Sequence, residues 1–209
     1  MILTISLTPL LLQLNYYIMT HILSFSQNFN LIHDSKKKEI ISRVNSISMN
    51  SIISLSYFFV RSREDIMIVY NIFAGFLIFD IFYCTTYDMV AHHIFSMLYC
   101  LYAKYMVEPE NLNLLFTGMV VLESSAIFLS VSWITKAMDY PLNCAHKSLI
   151  LFSYVYWSTM RVVIFPYIFY IFDSYYGKII SSPFLILNFY WFVILTRIIV
   201  SKMIKPSDT

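Results

Sequence analysis

Four ionisable residues near the middle of the chain have the types and spacing needed for acid–base or nucleophilic chemistry. His92 and His93 are adjacent, Asp88 lies one helical turn before His92, and Asp80 lies further upstream. Residues four apart share a helix face, so we expect the Asp88 carboxylate to fix the tautomer of the His92 imidazole and raise its basicity. His93 points about 100° away. One histidine is therefore expected to act as base or nucleophile while the other braces it through a neighbouring helix.

Two further charged side chains, Glu123 and Arg161, lie near the centres of apolar segments. A charge at the middle of a bilayer costs roughly 2.5–3.5 kcal/mol, and pairing offsets part of that cost. Because the two segments are consecutive and antiparallel, we expect an ion pair between Glu123 and Arg161, with a structural role as a clamp between helices. For the histidines, the competing interpretation is a hydrated position one or two turns from the membrane boundary.

The elements that must position these residues are predicted to be membrane helices. Hydrophobic residues make up 59% of the 209 residues and charged residues only 12%, whereas a typical soluble domain carries about 25% charge. A spanning helix needs about 20 mostly apolar residues. Seven segments qualify, so the predicted fold is all-α, a polytopic membrane bundle of about seven transmembrane helices: 1–25, 44–60, 66–84, 88–106, 112–135, 147–172 and 179–201.

Short connections with turn-forming residues separate these segments. We predict turns at Asp34-Ser35, Glu108-Pro109-Glu110, Asp139-Tyr140-Pro141 and Ser181-Ser182-Pro183. Pro166 lies inside the sixth segment, where it should kink the helix or free a backbone carbonyl.

The distribution of basic residues predicts the orientation of the bundle. The net charge of +2 is too small to indicate nucleic acid as a partner. Alternation through seven helices places four basic residues on one face and nine on the other, which the positive-inside rule assigns to the cytosol. The carboxyl terminus is then cytosolic. The nine are Lys36, Lys37, Lys38, Arg43, Lys136, Lys147, Arg197, Lys202 and Lys205.

Metal, cofactor and serine-hydrolase chemistry are not predicted. Five histidines are too few for the three His-rich boxes of a membrane di-iron enzyme. Cys84, Cys100 and Cys144 show neither a disulfide framework nor CxxC spacing, so we interpret them as small hydrophobic residues of a packed bundle. The G-x-S-x-G motif of serine hydrolases is absent.

Six short motifs follow one another between residues 36 and 200. They are Lys38-Glu39 through Arg43 and Ser46; Gly75-Phe76 with Asp80; His92-His93; Glu123-Ser124-Ser125 with Phe128-Leu129 and Trp133; Arg161 with Pro166; and Asn188 with Trp191 and Phe192. In this order they resemble the motifs of the TLC-domain family, which includes the ceramide synthases. Ala103, Lys104 and Val107 stand where the ceramide-synthase signature has Ser, Tyr and Asn. The chain therefore resembles the shorter, non-synthase branch.

The apolar segment 1–25 is predicted to be an N-terminal transmembrane helix or a signal anchor, and the resemblance implies a six-helix TLC-like domain at 36–202. It makes His92, His93, Asp80 and Asp88 the candidate catalytic residues. A second set is implied to be lipid- or structure-related: Glu123, Arg161, Trp133, Asn188 and Trp191.

Two functions remain open on this basis. The first is a multi-pass protein of the endoplasmic reticulum or another endomembrane that handles membrane lipids or maintains their homeostasis. The alternative is an acyl-CoA-dependent N-acyltransferase, in which a histidine of the pair takes the acyl group or deprotonates an amine, supported by Asp80 or Asp88. A transporter is disfavoured, because two halves with matching broken helices are not evident.

Overall fold

The computed structural model describes residues 2–24, 26–84, 86–138 and 144–204. Within these ranges the chain is helical with no strand, so the predicted all-α fold is confirmed. The elements in chain order are α1 Ile2–Leu23, α2 Gln27–Asn30, α3 Asp34–Phe59, α4 Arg63–Asp80, α5 Tyr87–Tyr105, α6 Pro109–Ala137, α7 Cys144–Ser158, α8 Phe165–Ile171 and α9 Tyr175–Ile204. A π-helical turn, Thr159–Ile164, joins α7 to α8.

Four helical stretches in the described ranges are long and apolar enough to cross a membrane: Arg63–Tyr83, Pro109–Ala137, Cys144–Ile171 and Tyr175–Ser201. Much of the outer surface is apolar, as on α9, where Ile186, Phe189 and Tyr190 are exposed. Exposed apolar side chains over most of a helix are typical of contact with lipid. α3 is long but carries many serine and asparagine side chains, and several of these face the interior of the bundle.

Helix–helix packing explains how the first segment tolerates its polar residues. α1 packs along α4 and α3, α3 packs along α6, and α5 packs along α9. Asn15 of α1 donates a hydrogen bond of 2.5 Å to Asn45 Oδ1 of α3. Tyr83 donates one of 3.2 Å to Gln13 Oε1. Each polar group of α1 named here therefore has a partner on a neighbouring element.

The connection between α4 and α5 places the acidic end of one helix beside the start of the next. α4 begins with a capping box, in which Ser62 and Asp65 each accept a backbone N–H of the other. The helix ends at Asp80 and continues as a 3-10 turn, Ile81–Tyr83, before the chain reverses into α5. This tight reversal brings Asp80 close to the first turns of α5, which carry the histidine pair.

The prediction of a turn at Ser181-Ser182-Pro183 is wrong, because α9 runs through all three residues. Proline has no N–H, so the carbonyl of Ile179, four residues earlier, loses its helical donor. The Ser182 hydroxyl donates a hydrogen bond of 2.8 Å to that carbonyl. Local repair of this kind is what allows proline inside a membrane helix. Of the other predicted turns, α3 begins at Asp34 and α6 at Pro109, and Asp139–Pro141 lies outside the described residues.

The disturbance expected at Pro166 takes the form of the π turn. The N–H of Phe165 donates to the carbonyl of Met160, five residues earlier, and Pro166 stands in the first turn of α8. π turns are rare and often occur at functional sites. Arg161, one of the charged candidates, lies inside this one.

Candidate functional site

A cavity of about 270 Å³ lies among α3, α4, α5, α6, the π turn and α9. Asp80, His92, His93 and Glu123 all line it, together with Arg161. The remaining wall is largely apolar, with Phe73, Phe76, Leu77, Leu129, Ile194 and Leu195. The structure therefore gathers acid–base groups from four elements around one space that also has hydrocarbon surface.

α3 contributes a polar stripe to this cavity. Glu39, Arg43, Ser46 and Asn50 all line it, and their spacing of four, three and four residues puts them on one helix face. Ser42, on the same side, joins them. Sequence reasoning treated Arg43 and Ser46 only as parts of a motif and missed Ser42 and Asn50. The signal that would have found them is the helical period of polar residues in a membrane segment.

Asp80 and His93 form the central contact of the cavity. His93 Nε2 lies 2.9 Å from Asp80 Oδ2, and both side chains are buried. The second carboxylate oxygen, Oδ1, accepts a hydrogen bond of 2.6 Å from Ser42 Oγ. Three helices therefore fix this pair, with Ser42 on α3, Asp80 on α4 and His93 on α5. A neighbouring helix thus holds His93 through Asp80 and not through His92, and which histidine acts as base stays a prediction.

The other nitrogen of His93 decides where the protons of the ring lie. Nδ1 is 2.7 Å from the carbonyl oxygen of Met89. A carbonyl can only accept, so Nδ1 carries a hydrogen in this contact. A single proton is then shared between Nε2 and Asp80, as either an imidazolium–carboxylate pair or an imidazole bound to a carboxylic acid. Both forms hold a transferable proton at the cavity wall.

Cys84 completes a cluster that the sequence did not suggest. Its Sγ lies 3.5 Å from His93 Nδ1 and is half-buried at the cavity wall. Asp80, Cys84 and His93 each offer a metal-ligand atom, and these atoms lie within 4.8 Å of one another. The interpretation of Cys84 as an inert packing residue is therefore incomplete. Cys100, by contrast, is buried in the apolar core, as expected.

His92 occupies a different environment from its neighbour. Its ring meets those of His93, Phe184 and Trp191 at steep angles, with centroids 5.6, 5.7 and 5.4 Å away. Its Nδ1 is buried and has no hydrogen-bond partner among the described residues. A buried polar atom without a partner costs roughly 1–3 kcal/mol. Such an atom in a residue that lines a cavity is suited to a ligand.

The expected pairing of Asp88 with His92 is wrong. Asp88 Oδ2 instead accepts a hydrogen bond of 2.7 Å from Trp191 Nε1 of α9. Asp88 lies in the first turn of α5, where its side chain reaches α9, and the ring of the same Trp191 also contacts His92. Asp88 does not line the cavity.

The expected ion pair between Glu123 and Arg161 is also wrong, since no nitrogen and oxygen of the two come within 4.0 Å. Arg161 instead donates from three nitrogens: to Ser125 Oγ at 2.7 Å, to Asn188 Oδ1 at 3.2 Å and to the carbonyl of Leu122 at 2.7 Å. Neutral acceptors on α6 and α9 thus occupy the guanidinium. The clamp between helices exists, but its hydrogen bonds go to neutral acceptors and not to a carboxylate.

Glu123 faces α3 instead. With the Asn50 amide oriented to meet its acceptors, the nitrogen donates to Glu123 Oε2 at 2.9 Å and to the Ser46 carbonyl at 3.3 Å. Glu123 is buried in the cavity wall. One of its carboxylate oxygens therefore bonds to α3, in the same cavity as the Asp80–His93 pair.

The tryptophans and Asn188 support the site from its edges. The Arg43 guanidinium lies over the Trp133 ring, 4.2 Å from its centroid, while Arg161 lies between Trp157 and Trp191 at 5.6 and 5.8 Å. Trp191 therefore contacts Asp88, His92 and Arg161 at once. Trp133 and Asn188 do not line the cavity, but each contacts an arginine that does.

Comparison with known proteins identifies the family. Searches of curated proteins and of solved structures found no match. A family model for the TLC domain matches residues 2–204, nearly the whole chain and all the residues that line the cavity. With its apolar, membrane-length helices, the chain is an integral membrane protein that belongs to the TLC-domain family.

Proposed function

We propose that this protein handles membrane lipid by binding one acyl chain, with its polar end, in the cavity. The observation that carries the proposal is the composition of the cavity wall. Phe73, Leu129 and Ile194 supply apolar surface, while Asp80 and His93 supply a buried polar end within the helix bundle. The volume of about 270 Å³ is near the lower end of ligand pockets, roughly 300–1,000 Å³. It suits one chain better than a whole two-chain lipid.

The orientation of the bundle supports access to the cavity from the cytosol. Glu39 and Arg43, from the first half of α3, line the cavity at the end of the bundle where Asp80 and Cys84 also lie. This end carries the larger set of basic residues, which the positive-inside rule assigns to the cytosol. The carboxyl terminus is then cytosolic, and the family resemblance favours the endoplasmic reticulum or another endomembrane. A carboxyl-terminal tag protected from protease in sealed microsomes would contradict this orientation.

Photo-crosslinking tests the binding of an acyl chain. The full chain, purified in detergent micelles, is irradiated with a palmitate probe that carries a diazirine and an alkyne. Crosslinked peptides are then mapped by mass spectrometry. We expect adducts on residues of the cavity wall. Ala126→Phe fills the cavity next to Leu129 and should reduce these adducts at least severalfold.

Ala145→Phe is the matched control, since Ala145 is exposed at the start of α7. It adds the same side chain outside the cavity and should leave the crosslinking pattern unchanged. Thermal unfolding of both variants shows whether the fold is retained, because overpacking costs roughly 1–3 kcal/mol. Equal crosslinking of cavity residues in the two folded variants would refute a lipid-binding cavity.

The second candidate function is acyl-CoA-dependent N-acyl transfer. It is favoured by His93, which is held by Asp80 in the wall of the cavity, and by His92, whose Nδ1 lacks a partner among the described residues. An imidazole positioned by a carboxylate is suited to general-base catalysis or to acyl transfer.

Lipid profiling separates this candidate from binding alone. The protein is expressed in cells that lack their own ceramide synthases, and lipids are measured by mass spectrometry. New N-acylated sphingoid bases that disappear in His92→Ala and His93→Ala would establish an N-acyltransferase. An unchanged profile with normal expression would exclude this reaction and leave the binding proposal standing.

A further inference from the structure

From the geometry around His93, we propose that Cys84 is a nucleophile that accepts a fatty acyl group as a thioester. The inference rests on the proposed function, because the acyl chain must occupy the cavity. It extends that function, because neither the sequence motifs nor the family match points to Cys84 or to a thioester.

The arrangement of Cys84, His93 and Asp80 is that of a nucleophile, an imidazole that holds the transferable proton, and a carboxylate that orients the imidazole. Sγ lies 3.5 Å from Nδ1 on one edge of the imidazole, and Asp80 Oδ2 lies 2.9 Å from Nε2 on the other. Cysteine hydrolases likewise place a thiol, an imidazole and a third side chain that orients the imidazole in this order. Ser42 holds the far oxygen of Asp80 at 2.6 Å, so the acid itself is fixed.

The second contact of Nδ1 is consistent with this role. Nδ1 carries a hydrogen toward the Met89 carbonyl at 2.7 Å, and Cys84 Sγ lies within reach of the same nitrogen. When Nε2 also holds its proton toward Asp80, the ring is an imidazolium, and its positive charge stabilises a thiolate at Sγ. His92, whose Nδ1 has no hydrogen-bond partner in the described part of the chain, lies one residue before His93 and lines the same cavity.

A metal ion is the competing use of these three side chains. Their ligand atoms lie close enough for one. However, Cys84 and Asp80 face opposite nitrogens of the His93 ring, and both nitrogens already have partners. A metal ion binds one nitrogen of the ring, Nδ1 or Nε2. For Cys84 and Asp80 to bind the same ion, one of them would have to move to the other side of the ring. The observed contacts therefore favour the thiol reaction.

The reaction proceeds in two balanced steps. The Cys84 thiolate attacks the carbonyl carbon of a fatty acyl thioester such as acyl-CoA, an S–C bond forms at Sγ, and the donor's C–S bond breaks. The departing thiolate takes the Nδ1 proton of His93. An acceptor amine or hydroxyl then attacks the Cys84 thioester, gives its proton to Nδ1 and releases the thiolate. One acyl group moves and no oxidant is needed.

Acylation of the purified full chain tests the proposal. The protein in detergent micelles is incubated with alkyne-tagged stearoyl-CoA, and the modified residue is identified by peptide mass spectrometry. We expect an adduct on Cys84 that neutral hydroxylamine removes. Cys84→Ser should abolish it, and His93→Gln should slow its formation by roughly 100-fold or more, the usual contribution of a positioned base.

Cys144→Ser is the matched control, because Cys144 is an exposed thiol at the start of α7. It should leave the Cys84 adduct unchanged, and Cys144 itself should react no faster than it does in unfolded protein. Melting temperatures of all variants verify the fold, and Cys84→Ala serves as a second variant should serine destabilise the site.

Three outcomes would overturn the thioester proposal. The first is an adduct on His92 or His93 that persists in Cys84→Ala, which would assign the acyl group to an imidazole. The second is one equivalent of tightly bound zinc that is lost when Asp80, Cys84 or His93 is replaced. The third is no Cys84 adduct while the palmitate probe still crosslinks to the cavity. The proposed function would be refuted as well only if Ala126→Phe and Ala145→Phe gave equal crosslinking of the cavity residues.

Discussion

Two buried polar clusters lie side by side in this bundle and differ in how their hydrogen bonds are used. In the arginine cluster, Arg161 donates from three nitrogens to neutral acceptors on α6 and α9. In the histidine cluster, Asp80 and His93 share a proton, and Cys84 and Met89 share the other nitrogen of the ring. The first cluster has one stable arrangement of its protons, whereas the second has several.

The difference separates a structural role from a chemical one. A guanidinium does not lose its proton under ordinary conditions, so a well-bonded arginine holds helices together and does little else. An imidazole between a carboxylate and a thiol can pass protons in either direction. Both clusters contain intramembrane ionisable groups, which are functional candidates by default. The hydrogen-bond partners of these groups, more than their charge, indicate which of the two clusters can perform chemistry.

The largest loss of stability is expected for Arg161→Met. The substitution removes three interhelical hydrogen bonds, each worth roughly 0.6–1.7 kcal/mol in membrane proteins, and so should cost about 2–4 kcal/mol. Thermal unfolding followed by tryptophan fluorescence measures the change. Arg197→Met, at an exposed position of α9, is the control and should shift stability by less than about 0.5 kcal/mol. Equal melting temperatures for the two variants would show that Arg161 stabilises the bundle no more than an exposed arginine does, and the structural role of the arginine cluster would be lost.

Asp80→Asn should have an intermediate effect on stability and a large effect on chemistry. The amide fills the same space but cannot share a proton with Nε2 in the same way, so we expect a cost of about 1–2 kcal/mol. Formation of the Cys84 adduct should fall by roughly tenfold or more. Asp88→Asn is the control, because an amide oxygen can still accept from Trp191 Nε1. If the two substitutions slow acylation equally, Asp80 has no special link to His93.

The smallest expected effect is that of Ser42→Ala. It removes one donor to Asp80 Oδ1 and should cost about 1 kcal/mol. Ser48→Ala, on the same helix, removes only a hydroxyl that donates to the carbonyl of Val44 and should cost less. Denaturation in mixed micelles compares them. In the Asp80→Asn background the cost of Ser42→Ala should change, since the two side chains are in contact; strictly additive costs would argue against the bond.

The sequence predicted the helices well because apolar length is a local property. The seven predicted segments correspond to α1, α3, α4, α5, α6, α7 with α8, and α9. The start of α3 was placed ten residues too late, because its first turns are charged and polar. Pro183 was misinterpreted because the compensating Ser182 bond is visible only in three dimensions. The division into residues 1–25 and 36–202 stays a prediction.

The candidate site was predicted less well because its contacts join distant parts of the chain. The i, i+4 rule suggested Asp88 for His92, but Trp191, 103 residues away, takes that carboxylate. Charge complementarity suggested Glu123 for Arg161, but neutral acceptors occupy the guanidinium. Asp80 meets His93 only because a 3-10 turn reverses the chain within a few residues. Six of the nine candidate residues line the cavity, whereas both predicted pairings were wrong.

The π turn at Thr159–Ile164 also determines how the chain can tolerate changes in length. A π turn holds one residue more than an α-helical path would need, so deleting a residue there would regularise the helix. The helices on either side would keep their relative orientation, because the turn absorbs the extra residue locally. The side chains within the turn would change direction, and Arg161 would lose the position from which it reaches Trp157 and Ser125. The extra residue therefore sets the direction of the arginine without changing the paths of α7 and α8.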